Sequence, residues 1–152
     1  MVHIPSLSEI DNVNYPRLPT CRSEATNANR TVIVGSGESE DYSHDIRYAP
    51  YTIDNGLGVT PYGETIEIES DHFTVVSDGA SMCYGDHGAP LVNLHAENDC
   101  SPQDVILGIS SWSTGSSCYD DGVAAFVDVL TYSTFIRDAM SGSIEPAFQL
   151  YF

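Results

Sequence analysis

Ser81-Met82-Cys83-Tyr84-Gly85-Asp86-His87-Gly88-Ala89-Pro90-Leu91-Val92 packs a cysteine, two glycines around an Asp-His pair and a proline opening an apolar run into twelve residues. Glycine reaches positive φ and lets backbone come close to a ligand, so Gly85 and Gly88 bracket a sharply turned loop whose amide hydrogens can converge on an anion. Pro90 ends the turn and launches a strand.

Outward from that loop the chain reads as short strands. Upstream, Thr31-Val32-Ile33-Val34 is a β-branched run stopped by Gly35-Ser36-Gly37. Ile46 to Ile53 is a second strand, which Pro50 marks as an edge or a bulge, and Asn55-Gly56 is a turn signal. Thr65 to Ile68 and Phe73 to Val76 alternate as strands do. Downstream come Leu91 to Leu94 and Val105 to Trp112. Val129, Tyr132, Ile136 and Ala139 or Met140 recur at helical spacing, which predicts one amphipathic helix over Leu130 to Met140, stopped by Ser141-Gly142. Prolines at 5, 16 and 19 exclude a helix from the first twenty residues.

At 152 residues the chain suits one domain with a real core. Five basic residues against 22 acidic ones give a net charge of −17, a field that repels phosphate backbones and anionic lipid. Nucleic acid and membrane partners are therefore not expected, and no apolar run is long enough to span a bilayer. The basic residues are Arg17, Arg22, Arg30, Arg47 and Arg137, so lysine is absent. That leaves few sites for trypsin-like cleavage, although an acidic composition alone accounts for it.

Cys21, Cys83, Cys100 and Cys118 form an even count without Cys-x-x-Cys spacing, which suits two disulfides in an oxidising compartment better than a zinc site, with three pairings open. Asn29-Arg30-Thr31 is a glycosylation sequon at Asn29 and points the same way. Met1 to Asn12 lacks the pattern of a secretory signal. His3, His44, His72, His87 and His95 show neither i, i+4 nor His-x-His spacing. No metal site and no cofactor is expected.

The stretch Cys83-x-Gly85-Asp86-x-Gly88-x-Pro90-Leu91 resembles the nucleophile loop of chymotrypsin-like serine proteases, Cys-x-Gly-Asp-Ser-Gly-Gly-Pro-Leu, with His87 standing where the family has its serine. Further resemblances follow in family order. A Leu18-Pro19 closes a linker-like segment, and Gly108-Ile109-x-Ser111-Trp112 is similar to the family's Gly-Ile-x-Ser-Trp-Gly, with Ser113 replacing the last glycine. A terminal helix follows. The flavour is that of invertebrate chymotrypsin-like and collagenolytic digestive proteases.

The resemblance implies an all-β fold: a single six-stranded antiparallel Greek-key barrel, the family's second, with a C-terminal helix. It divides the chain into a linker-like segment 1–20, a barrel domain with its helix over 21–140, and a tail 141–152. The first barrel, which carries the family's catalytic histidine and aspartate, is not expected in this chain. The resemblance also pairs Cys83 with Cys118 and leaves a shifted bridge between Cys21 and Cys100. Another family bridge has lost both partners, near Gly58 and Phe73, and Phe73 is expected to fill the vacated core. The family's specificity pocket maps onto Ser81, Ser111, Trp112, Ser113 and Ala124. Ser81 replaces the aspartate of trypsin-like members, which favours apolar or mixed side chains.

Peptide hydrolysis by serine needs a nucleophile, a histidine base, an orienting carboxylate and oxyanion donors. Here no catalytic set is intact, and only an oxyanion-loop remnant, Gly85, Asp86 and His87, is left. In the family Asp86 would pair with an N-terminus of the first barrel, so it is expected to be solvated or bound elsewhere. The reading is a secreted, catalytically inactive homologue that acts as a protein- or peptide-binding or decoy module. The alternative is a truncated or processed half of an active endopeptidase.

Overall fold

A computed structural model describes residues 16–20, 31–38, 45–54, 67–77, 82–94, 104–114 and 122–142. Six strands run β1 (Thr31–Gly35), β2 (Arg47–Asp54), β3 (His72–Ser77), β4 (Pro90–Asn93), β5 (Val105–Ser113) and β6 (Val123–Asp128), followed by helix α1 (Ser133–Met140). They close into an antiparallel barrel in the order β1-β2-β3-β6-β5-β4. After three consecutive strands β4 returns beside β1, pairing Ile33 with Leu91, which is the Greek-key connection.

The apolar positions seen in sequence point inward. Ile33, Tyr51, Val75, Leu91, Val105, Leu107, Ala124 and Phe126 form the buried core, with Met82 from the glycine loop among them. Phe73 stacks on the fully buried Phe126 at 6.1 Å between ring centroids, so it does fill core volume. Gly108 faces this pair. A Cβ there would lie 2.8 Å from the Phe126 Cβ and 2.9 Å from the Phe73 ring, so only glycine fits.

Pro50 sits in β2 opposite Val32, but β3 pairs only with Tyr51 to Asp54. At Pro50 the strand is therefore a local edge, where the missing N–H breaks no ladder bond. Of the strand expected over Thr65 to Ile68, the described part, Glu67 and Ile68, is irregular backbone. The chain there enters a turn closed by His72 N–H on the Glu69 carbonyl at 3.0 Å.

The helix begins three residues later than its apolar spacing predicts. The Asp128 carboxylate accepts the Leu130 amide at 2.9 Å and the Thr131 hydroxyl at 3.0 Å, and this side-chain turn competes with helix over Leu130 to Tyr132. Its end is where expected, at Ser141 with Gly142 at φ 73. Of the apolar face, Val129 is buried and Ile136 half-buried, whereas Phe135 and Met140 are exposed. In the segment before the barrel, Arg17 bridges to Val105, accepting the Ile106 amide at 3.0 Å and donating to Asp104 at 2.9 Å. Pro19 is buried against the barrel.

Candidate functional site

The glycine loop is built by its own acceptors turning inward. Gly85 and Gly88 have φ of 93° and 85°, as the sequence requires of a sharp turn. Between them Asp86 folds back: one carboxylate oxygen accepts the Gly37 amide at 2.8 Å, and the other accepts the Cys83 amide at 3.0 Å. Asp86 is thus bound elsewhere rather than solvated, on the glycine strip that ends β1. The Tyr84 carbonyl accepts the Glu38 amide at 2.8 Å and ties the loop to the same strip.

From the other side Ser110 holds the loop. Its hydroxyl donates to the Asp86 carbonyl and accepts the Ala89 amide, while its carbonyl accepts the Gly88 amide at 3.1 Å. Ser110 is buried in β5, and its role was not legible in the sequence, where it read as one more strand residue. Among the described residues the amides of Gly85 and His87 donate to nothing, and His87 is exposed with no carboxylate paired to it. The Asp86 carboxylate and the Tyr84 and Asp86 carbonyls are thus taken up within the fold, while the Gly85 and His87 amides have no acceptor among the described residues.

Next to it, β5 and β6 form the wall predicted to line a pocket. Their register steps between Ser110 and Trp112, which pair with Phe126 and Ala125, so Ser111 is the extra residue of a β-bulge. A bulge re-aims the side chains after it. Ser113 then lies opposite the buried Ala124, which brings two of the predicted pocket residues together. Ser81, Cys21, Cys100, Cys118 and Asn29 lie outside the described residues. Cys83 is disulfide-bonded, and no described cysteine is free.

A family model described as Trypsin matches residues 3–136, which spans every barrel strand and the first turn of α1. The chain belongs to the trypsin family. A relative of this trypsin-family chain is a protein named Collagenase from Hypoderma lineatum, 27% identical over 141 residues. That match covers 90% of this chain and 51% of the relative, so the chain spans about half the relative's length. The closed barrel and the loop between Cys83 and Pro90 are thus those of a serine protease family.

One further cluster went unseen in the sequence. At the head of β3, His72 Nδ1 meets Asp71 at 2.8 Å and Glu69 at 3.5 Å. The Tyr132 hydroxyl, from the turn before α1, donates to the other Asp71 oxygen. That hydrogen bond first, and His72 second, hold the Asp71 carboxyl below the usual aspartate range, and the same bond raises the Tyr132 phenol. No local signal links Asp71 to Tyr132, because they are 61 residues apart.

Proposed function

We propose that this trypsin-family chain is a catalytically silent homologue that acts as a secreted protein-binding or decoy module. The observation that carries the reading is His87, which occupies the apex between Asp86 and Gly88 where the family's motif has its serine. An exposed imidazole without an orienting carboxylate is a poor nucleophile for acyl transfer, and loss of one triad member costs several orders of magnitude in rate. What supports binding is that the Gly85 and His87 amides have no acceptor among the described residues and that their loop is tied through Gly88 and Ala89 to Ser110, next to the bulged Ser111–Ser113 end of β5, where an extended peptide could be received. The proposed partner is a protein or peptide with an apolar or mixed side chain for the Ser81–Ala124 pocket.

The domain reading goes with this proposal: a linker-like segment over 1–20, the barrel and helix over 21–140, and a tail over 141–152. So do a Cys83–Cys118 bridge, a Cys21–Cys100 bridge and, with them, secretion.

A second reading is favoured by the half-length match to Collagenase: the chain is one half of an endopeptidase whose activity needs the other. Cleavage of a fluorogenic peptide library by the protein as isolated from its natural source, with whatever accompanies it, separates the two. The proposal expects no cleavage. Cleavage that is lost when this chain is removed would sink it in favour of the second reading.

A further inference from the structure

We propose that Glu69, Asp71 and His72 form a binding site for a divalent transition cation of the zinc type. One donor atom from each lies within 4.8 Å of the others. The His72 Nδ1 separation of 3.5 Å from Glu69 matches neighbouring donors around a cation with bonds of about 2.0 to 2.2 Å, which sit about 3.0 to 3.5 Å apart, and the 2.8 Å to Asp71 is a hydrogen bond that a cation would replace, its two atoms opening by a few tenths of an ångström.

The histidine distinguishes this cluster from an ordinary acidic patch. Its side chain is only 10% exposed, and its Nδ1 is aimed at both carboxylates. One N–H serves one acceptor, so the His72 ring satisfies Asp71 and leaves the exposed Glu69 carboxylate open to solvent. A cation in place of that proton gives both carboxylates and the ring nitrogen a common partner. One imidazole and two carboxylates suit zinc, whereas calcium requires six or more oxygens.

The turn that carries the donors is fixed before any metal arrives. His72 N–H closes it on the Glu69 carbonyl at 3.0 Å, and the Asp71 carbonyl accepts the Asp128 amide at 2.8 Å. Tyr132 holds one Asp71 oxygen through its hydroxyl and leaves the other facing His72, the outer contact that orients a carboxylate ligand. Three protein donors leave a coordination position for water or for a donor from a partner. The chain's net charge of −17 raises the local concentration of cations.

Calorimetric titration of the full chain with zinc chloride tests the site, with calcium chloride as the comparison. One equivalent of zinc is expected to bind, to raise the thermal midpoint and to shift the His72 ring resonances. Glu69→Gln, a change at an exposed position that leaves the fold intact, is expected to weaken zinc by about tenfold or more. His72→Gln is expected to abolish binding, and if that variant does not fold, Glu69→Gln decides. The site is overturned by the absence of saturable binding, by calcium binding tighter than zinc, or by zinc affinity unchanged in Glu69→Gln, the outcome if other histidines hold the metal.

Discussion

The Asp86 carboxylate closes on the Gly37 amide at 2.8 Å, and a Cβ at Gly37 would lie 2.5 Å from the same oxygen. Loop and strip therefore specify each other: the carboxylate requires a bare backbone, and the bare backbone supplies the donor. Asp86→Ala removes both this bond and that to Cys83. Hydrogen bonds to charged groups contribute about 1.5 to 3 kcal/mol each, so urea denaturation of Asp86→Ala, which removes two, should show a loss of about 3 to 6 kcal/mol. Gly37→Ala should lose stability too, because it displaces the carboxylate. An unchanged midpoint in both variants would refute the mutual dependence.

Gly108 is as tightly specified inside the barrel. Gly108→Ala forces a methyl against Phe126 and Phe73, and overpacking of this kind typically costs about 1 to 3 kcal/mol. Pairing it with Phe73→Leu, which removes ring atoms from the contact, should recover part of that loss. Additive losses in the double variant would count against the steric account.

How much of this was legible in the chain depended on whether the partner was near in sequence. Gly85 and Gly88 announce their positive φ, and the β-branched runs at Thr31 and Val105 announce strands, because both signals are local. The stop at Gly142 is of the same kind, whereas the inward Phe73 was expected from the family resemblance. What pairs with what is not local. The Asp86 to Gly37 bond spans 49 residues, and the Ser110 clamp on Asp86 spans 24. Of the strand expected over Thr65 to Ile68, the described Glu67 and Ile68 are irregular, because alternation over a few residues does not distinguish a strand from an extended approach to a turn. The helix began late because Asp128 offers its carboxylate to the backbone ahead of the apolar spacing.

Asp71 and Tyr132 link the head of β3 to the start of α1, and their titration sets when that link holds. The Asp71 pKa is depressed, so its contribution is present above the ordinary value of about 3.9 and is lost as pH falls through the lower folded value. The Tyr132 pKa is raised, so its contribution is present below about 10 and is lost as pH rises through the higher folded value. In Tyr132→Phe the Asp71 carboxyl, followed by NMR, should titrate closer to 3.9. Identical Asp71 titrations in the two proteins would contradict the link.

Cys83 is buried beside Met82 and carries a disulfide at the root of the loop. Digestion without reduction, followed by mass analysis, should recover the Cys83 peptide joined to that of Cys118. A bridge of this kind typically contributes about 2 to 4 kcal/mol, so reduction, which opens every bridge, should lower the unfolding free energy by at least that amount. A Cys83 peptide joined to Cys21 or Cys100 would refute the pairing.

Whether the loop is architecture or a working centre is tested most directly by incubating the purified chain with a fluorogenic peptide library, alongside His87→Ala. No cleavage above the solvent rate is expected from either protein. Cleavage by the parent chain that disappears in His87→Ala would contradict the proposal that this loop has kept its shape without its chemistry.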